Sequence, residues 1–443
     1  MVLALVDGIA PNLKRVRLTR GRPLISFPGA SDDLARPRLP WPGFGPGVWD
    51  SNKRPGGKGR LEYLCLQTPR LIQLAELQTW HRLTSFDSLV ELRMSNAFQE
   101  NAMEWAADND VFPALKRLSM YIGIDGLLGA AGTFLSSLRP LEEIQLLDRV
   151  SSDLLCDATK KHGSTLRRLS LPAGRLYIAT RNTMTLDQLH CIRDNCPVLE
   201  DLTATVKRTR SSEDEMSVYK VIGSMKSVVK LALSLNCYAP KILPIEGNRG
   251  LQGMYGEYTD AWLEEPFAAA GTIPLSSIPG DFIRNGDICR HLINYAFDEE
   301  LARSIWNAIS VNKLGRPLRS LEVTSTEGVN LGIDSSRTGA LEVFKHFHRT
   351  YVMEGSVRDD MQGGIERCSE PGRAKREELE RDSTTYTDSE EPGTIMHVFR
   401  KVWPKGEWDD WRQDWKSLPL QVGGAFKRVP ADAAISSERI GQE

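Results

Sequence analysis

The stretches LKRLSM (residues 115–120), LEEIQL (141–146) and LRRLSL (166–171) share one pattern: apolar, two residues, apolar, one residue, apolar. Working outward, the pattern recurs at Leu13/Val16/Leu18, Leu61/Leu64/Leu66, Leu89/Leu92/Met94, Leu199/Leu202/Ala204, Val228/Leu231/Leu233 and Leu318/Leu321/Val323, giving nine copies. The central positions Leu64, Leu92, Leu118, Ile144, Leu169, Leu202 and Leu231 fall 28, 26, 26, 25, 33 and 29 residues apart. A Pro or Gly precedes several copies (Pro11, Pro113, Pro140, Gly163, Pro197). Chance L-x-x-L-x-L matches occur in any α/β protein, but not nine at near-constant spacing.

In an L-x-L strand successive side chains alternate faces, so the two leucines point inward and the residues between them point out. A single strand of this kind cannot satisfy both its edges. Stacking pairs each with the next in a parallel sheet, and the intervening twenty or so residues return the chain as a helix. Helices are expected at 151–162, where a Ser/Asp cap signal precedes Leu154, Leu155 and Ala158, at 186–195, and at 213–222. The spacing matches the period of a leucine-rich repeat. It predicts an α/β leucine-rich-repeat solenoid with parallel strands on the concave face and helices on the convex face.

The 443 residues carry 56 Lys+Arg against 58 Asp+Glu, a net charge of -2, which argues against a polyanion such as nucleic acid as partner. No apolar run reaches the roughly 18 to 20 residues that span a bilayer, so no membrane is expected. Seven scattered cysteines without a C-x-x-C pair, and no N-x-[ST] sequon, favour a reducing intracellular compartment, cytoplasmic or nuclear.

Along the chain, 1–20 reads as a first repeat turn without a polar cap, from a truncated product or one whose cap is missing, and 21–60 as a Pro/Gly-rich loop. The solenoid occupies 61–237, and 238–354 holds an insertion followed by a last repeat turn. Residues 355–394 have the composition of a flexible charged linker. A Trp-rich segment at 395–425, with Trp408, Trp411 and Trp415 at helical spacing, reads as a C-terminal cap or else a docking surface, and 426–443 as a tail.

No motif of catalysis emerges, and no cofactor or metal is expected. His346 and His348 read as a solvated pair rather than metal ligands, for want of a second pair nearby. Asp298, Glu299 and Glu300 read as first-turn helix acids, and Cys191 and Cys196 as small buried hydrophobes. The cluster Lys207, Arg208 and Arg210 is followed by Glu213, Asp214 and Glu215, which cancel its field.

Function is therefore expected on the wall formed by the outward residues of successive strands, about 35 Å wide for seven or eight turns, a face fit for a protein and too open for a metabolite. Tyr63, Arg93, Arg117, Tyr121, Arg168, Asp201 and Lys230 are the candidate partner-binding residues, with tyrosine and arginine prominent because both are over-represented at interface hot spots.

The segment NCPVLEDLTATVKRTRSSEDEMSVYKVIGSMKSVVKLALSLNC (195–237), RNGDICRHLINYAFDEELARSIWNAIS (284–310) and FRKVWPKGEWDDWRQDWKSLPL (399–420) resemble the fungal F-box proteins with C-terminal leucine-rich repeats. Cys196-Pro197 before Leu199 is similar to the C-P-x-L-x-x-L form of such repeats, and the resemblance covers most of the chain. It implies a non-enzymatic substrate receptor: an F-box binds the small adaptor of a cullin-type ubiquitin ligase while the repeats hold a protein partner. No L-P-x-E-[IL]-like segment precedes the first copy, so adaptor binding is expected only if an F-box is supplied upstream. The rival expectations are a degenerate structural relative without a ligand, and an enzyme with an unrecognised site in 239–300.

Overall fold

The computed structural model describes residues 10, 12–19, 58–67, 71–122, 125–148, 150–172, 183–237, 262, 265–267, 284–326, 339–356, 364–382, 394–407, 410–418 and 420. Most of the expected 21–60 loop and of the 239–300 stretch that could hold an unrecognised site, as well as Trp408 and the 426–443 tail, lie outside these residues. The chain packs as two compact units, residues 1–174 with 190–202 and residues 175–189 with 203–443.

The first unit contains β1 (Arg15–Thr19), β2 (Gly59–Arg60), β3 (Tyr63–Gln67), β4 (Thr84–Ser85), β5 (Glu91–Met94), β6 (Arg117–Tyr121), β7 (Glu143–Leu147) and β8 (Arg168–Ser170). Strands β2 and β4 form a small parallel pair of their own, while β1, β3, β5, β6, β7 and β8 lie side by side in chain order. All five pairings among these six are parallel. Helices α1 (Leu74–Leu83), α2 (Glu100–Asp108), α3 (Leu128–Ser137) and α4 (Ser152–His162) fall between strands, and α5 (Leu186–Asn195) crosses from one unit's residues to the other's.

The central apolar positions of the motif make one row in register: Val16, Leu64, Leu92, Leu118, Ile144 and Leu169. All six are buried, as are the opening leucines Leu61, Leu89, Leu115, Leu141 and Leu166. Each such burial stabilises by about 1.5 to 3 kcal/mol. The aromatic residues Phe86, Phe98, Phe112 and Phe134 fill the same interior, with ring centroids 5.1 to 6.1 Å apart along the series.

The backbone repeats as strictly as the side chains. The carbonyl of Lys14 accepts from the amides of both Glu62 and Tyr63, that of Glu62 from Val90 and Glu91, and that of Val90 from Lys116 and Arg117. The series continues with Lys116 to Glu142 and Glu143, Glu142 to Arg167 and Arg168, and Arg167 to Glu200 and Asp201. One carbonyl per turn thus takes two amides of the next. This pins each turn at the point where chain spacing varies from 25 to 33 residues.

The helices expected at 151–162 and 186–195 are present with nearly those bounds. Ser151 caps α4 by accepting from the Leu154 amide at 3.3 Å. Ser151→Ala is expected to cost about 1 kcal/mol of stability, read as a lower urea midpoint with unchanged slope.

In the second unit, β9 (Asp201–Lys207, of which Asp201 and Leu202 belong to the first unit), β10 (Lys230–Asn236), β11 (Ser320–Thr326), β12 (Thr350–Gly355) and β13 (Ile365–Ser369) are neighbours in chain order. Strands β10 and β11 are parallel, aligning Leu231 with Leu321 and Leu233 with Val323. The double acceptor recurs, Val229 taking the amides of Arg319 and Ser320. Helices α6 (Glu213–Ser224), α7 (Asn285–Tyr295), α8 (Glu299–Ser310), α9 (Ala340–Phe347), α10 (Arg373–Asp382) and α11 (Ile395–Val402) complete it.

Two expectations about the C-terminal part need correction. The flexible linker assigned to 355–394 contains β13 and α10. The sheet does not stop after the last motif copy but turns back on itself, β12 and β13 both pairing antiparallel. Composition misled here because an edge strand such as β13 is held by backbone hydrogen bonds and needs few apolar side chains, while α10 is held by ion pairs of Arg376 with Glu370 and Glu380.

The tryptophans do not share a helix: Trp411 lies in a short 3-10 turn (Trp411–Gln413), and Trp415 follows it in irregular chain. Trp411 and Trp415 are buried by packing within the unit, Trp415 4.6 Å from the Phe347 ring and Trp411 5.5 Å from Phe399, while the half-buried Trp403 lies 5.5 Å from Phe347. Rings consumed in this way leave little surface for docking.

Candidate functional site

Five of the six candidate residues in the first unit lie within β3 to β8, and Asp201 opens β9. On each strand the residue just before the buried central leucine faces out. In register these residues read Arg15, Tyr63, Glu91, Arg117, Glu143 and Arg168. Past the aromatic step at Tyr63 the charges alternate in sign from strand to strand, and the side chains are joined accordingly.

Glu91 accepts from Arg93 Nε at 2.5 Å and pairs with Arg117 Nε at 3.0 Å. Arg168 donates through Nη1 to Glu143 at 2.9 Å and pairs through Nε with Asp201 at 3.3 Å. Arg15 lies over the Tyr63 ring, 4.3 Å from its centroid. Ser119 donates to Gln145 at 2.7 Å, and the Tyr121 hydroxyl donates to the buried carboxylate of Asp148. One residue earlier, except at Val90, a second set of pairs joins neighbouring turns: Lys14 with Glu62, Lys116 with Glu142, and Arg167 with Glu200.

The candidate arginines are thus brought together, but as members of cross-strand ion pairs. Each exposed pair contributes only about 0.2 to 1 kcal/mol. Their collective effect is on register, since a two-residue slip would part these pairs and leave most of the charges opposite uncharged side chains such as Ser119, Gln145 and Ser170. Tyr63 ionises only at raised pH, because burial and the neighbouring Cys65 both disfavour the phenolate. Lys230 lies exposed on β10 of the second unit with Ser320 as its in-register neighbour. The carboxylates Glu91 and Glu143 belong to this face as much as the arginines do. The alternating signs at the position before each central leucine were the available signal for them.

Elsewhere the structure departs from the sequence reading in three places. Arg208 and Glu215, expected only to cancel one another's field within a charge cluster, form a buried ion pair. His346 is buried rather than solvated: its Nδ1 contacts Glu380 at 2.7 Å and its Nε2 contacts Arg349 at 3.2 Å, with Trp411 and Trp415 edge-on to the ring. Burial lowers the His346 pKa against the pull of Glu380. Burial would also raise the Glu380 carboxyl, but His346 and Arg376 hold it down at about 2. Cys191, expected to be a small buried hydrophobe, is half-buried on α5 beside Cys156 of α4, with Cα atoms 5.7 Å apart.

Asp298 behaves as expected of a helix-start acid, accepting from the Leu301 amide at 2.9 Å, and it also receives Ser417. No helix among the described residues is long and apolar enough to cross a membrane. No protein-family model matches the chain, and no curated protein matches it.

Proposed function

We propose that the chain is a non-enzymatic, intracellular (cytoplasmic or nuclear) leucine-rich-repeat scaffold that binds another protein on the open face of the first unit, as the substrate-recognition part of an F-box receptor does. The observation that carries this reading is the register of outward side chains on β1 to β8. It sets tyrosines, guanidiniums and amides in ordered rows, a surface suited to an extended macromolecular contact. Ligase membership rests on the sequence resemblance and requires an F-box from upstream sequence.

The test is site-specific photo-crosslinking in the full chain. A benzoylphenylalanine placed at the exposed Ser95, at the end of β5, is expected to give discrete protein adducts in cells. The same group at exposed Asp157 on α4 is expected to give none. Adducts from Asp157 alone, or from neither position, would reject the open face as the binding surface.

A further inference from the structure

The charges on the open face differ in depth. The Glu91, Glu143 and Asp201 side chains are 8%, 18% and 30% exposed, whereas the Arg117, Arg93 and Arg168 side chains riding over them are 42%, 47% and 55% exposed. A partner approaching the face therefore meets guanidinium before carboxylate, although the formal sum is small. Arg93 and Arg117 reach Glu91 through Nε. The Nη1/Nη2 end of a guanidinium fork can grip a further carboxylate in the bidentate manner. Arg15 and Arg17 extend the cationic run on β1, both exposed.

We infer that the occupant of this face is an acidic peptide segment in extended conformation, laid across the strands with two or three carboxylates on the guanidinium forks. The inference rests on the reading of this face as the protein-binding surface. Length and charge both fit. From β1 to β8 the sheet takes five strand steps of about 4.8 Å, roughly 24 Å in all, which is the reach of about seven or eight extended residues. Five arginines (Arg15, Arg17, Arg93, Arg117, Arg168) stand against three carboxylates (Glu91, Glu143, Asp201), leaving two positive charges. Two or three acids on a peptide match that surplus. A nucleic-acid strand over the same distance brings about seven phosphates, far more than the face can neutralise.

A random twelve-residue peptide library displayed on phage, panned on the full chain and on the Arg17→Gln/Arg93→Gln variant, tests this. Glu91 keeps Arg117 in that variant, and an unchanged unfolding midpoint verifies the fold. Wild-type protein is expected to enrich peptides with two or three Asp or Glu in a window of about eight residues. A synthetic peptide of that consensus should bind the variant at least tenfold more weakly and weaken further as salt rises. A consensus without acids that still depends on the face would overturn the acidic partner while leaving the binding surface standing. No enrichment over the variant would overturn both, and equally tight binding of an eight-nucleotide oligothymidylate would replace the peptide with nucleic acid.

Discussion

Glu215→Ala is expected to lower the unfolding free energy by about 3 to 5 kcal/mol, among the largest losses any single surface-remote substitution in this chain would produce. The Glu215 carboxylate, at the start of α6, accepts from Arg208 Nη1 at 2.8 and 2.9 Å, from the amides of Thr209 and Ser211 at 2.8 and 2.9 Å, and from the Tyr219 hydroxyl at 3.1 Å. Arg208 is fully buried, and its Nη2 donates to the Leu418 carbonyl at 2.6 Å, tying the C-terminal segment to the same point. The backbone is shaped to this anion. Arg210 and Ser211 adopt φ of 54° and 66°, a left-handed pair that non-glycine residues take at some cost. Such a turn aims successive amides at a negative charge. Removing the carboxylate strands a buried guanidinium and leaves the turn without its anion.

The double variant Arg208→Met/Glu215→Ala separates the two effects, since it removes the stranded cation as well. It is expected to recover part of the loss, with a coupling of at least 1 kcal/mol in urea unfolding at fixed slope. Strict additivity, or a Glu215→Ala cost below about 1 kcal/mol, would mean that the pair is solvated.

This pair also shows where sequence legibility ends. The motif positions 13–18 through 318–323 announced every parallel strand from β1 to β11 apart from the minor β2 and β4, because L-x-L periodicity is a local property and survives without tertiary context. The helices at α4, α5 and α6 were legible for the same reason, through the cap signal at Ser151 and apolar residues at helical spacing. Arg208 and Glu215 were not. Charge next to charge reads as a cancelled field whether it is buried or not, and here a segment that meets the pair lies at Leu418, 210 residues away. Likewise Arg93, Arg117 and Arg168 were identified from their residue types, but their pairing to sunken carboxylates depends on strand register, which no single repeat reveals. His346 was read as solvated for want of a second ligand pair nearby, and its partners Glu380 and Trp411 come from a span expected to be flexible and from a segment expected to be helical.

The second large effect is on pH dependence and centres on His162, at the end of α4. The ring is fully buried; the Leu141 amide donates to Nδ1 at 3.2 Å, so the neutral ring carries its proton on Nε2, which faces the Leu135 carbonyl at 3.1 Å. Both nitrogens are committed. Protonating Nδ1 would set two N–H groups against each other inside an apolar interior. Burial, together with the neighbouring Lys161, accordingly lowers the pKa to about 4 against the opposing effect of the Leu135 contact. The unfolded chain takes up this proton near pH 6.5, the folded chain only near 4, so the unfolded state binds more protons throughout that window. Stability from the neutral ring is therefore complete above about pH 6.5 and falls as pH drops toward 4, by about 3 kcal/mol in total. His81, His346 and His348 are lowered as well and tilt the curve in the same direction. The contribution of His162 is isolated by comparison with His162→Gln, whose amide can accept from Leu141 and donate to Leu135 without titrating. Urea unfolding near pH 7, 5.5 and 4.5 should show the wild type losing stability more steeply than the variant. Parallel curves would mean that His162 titrates normally in the folded chain, and that the apolar interior between α3 and α4 admits a charge.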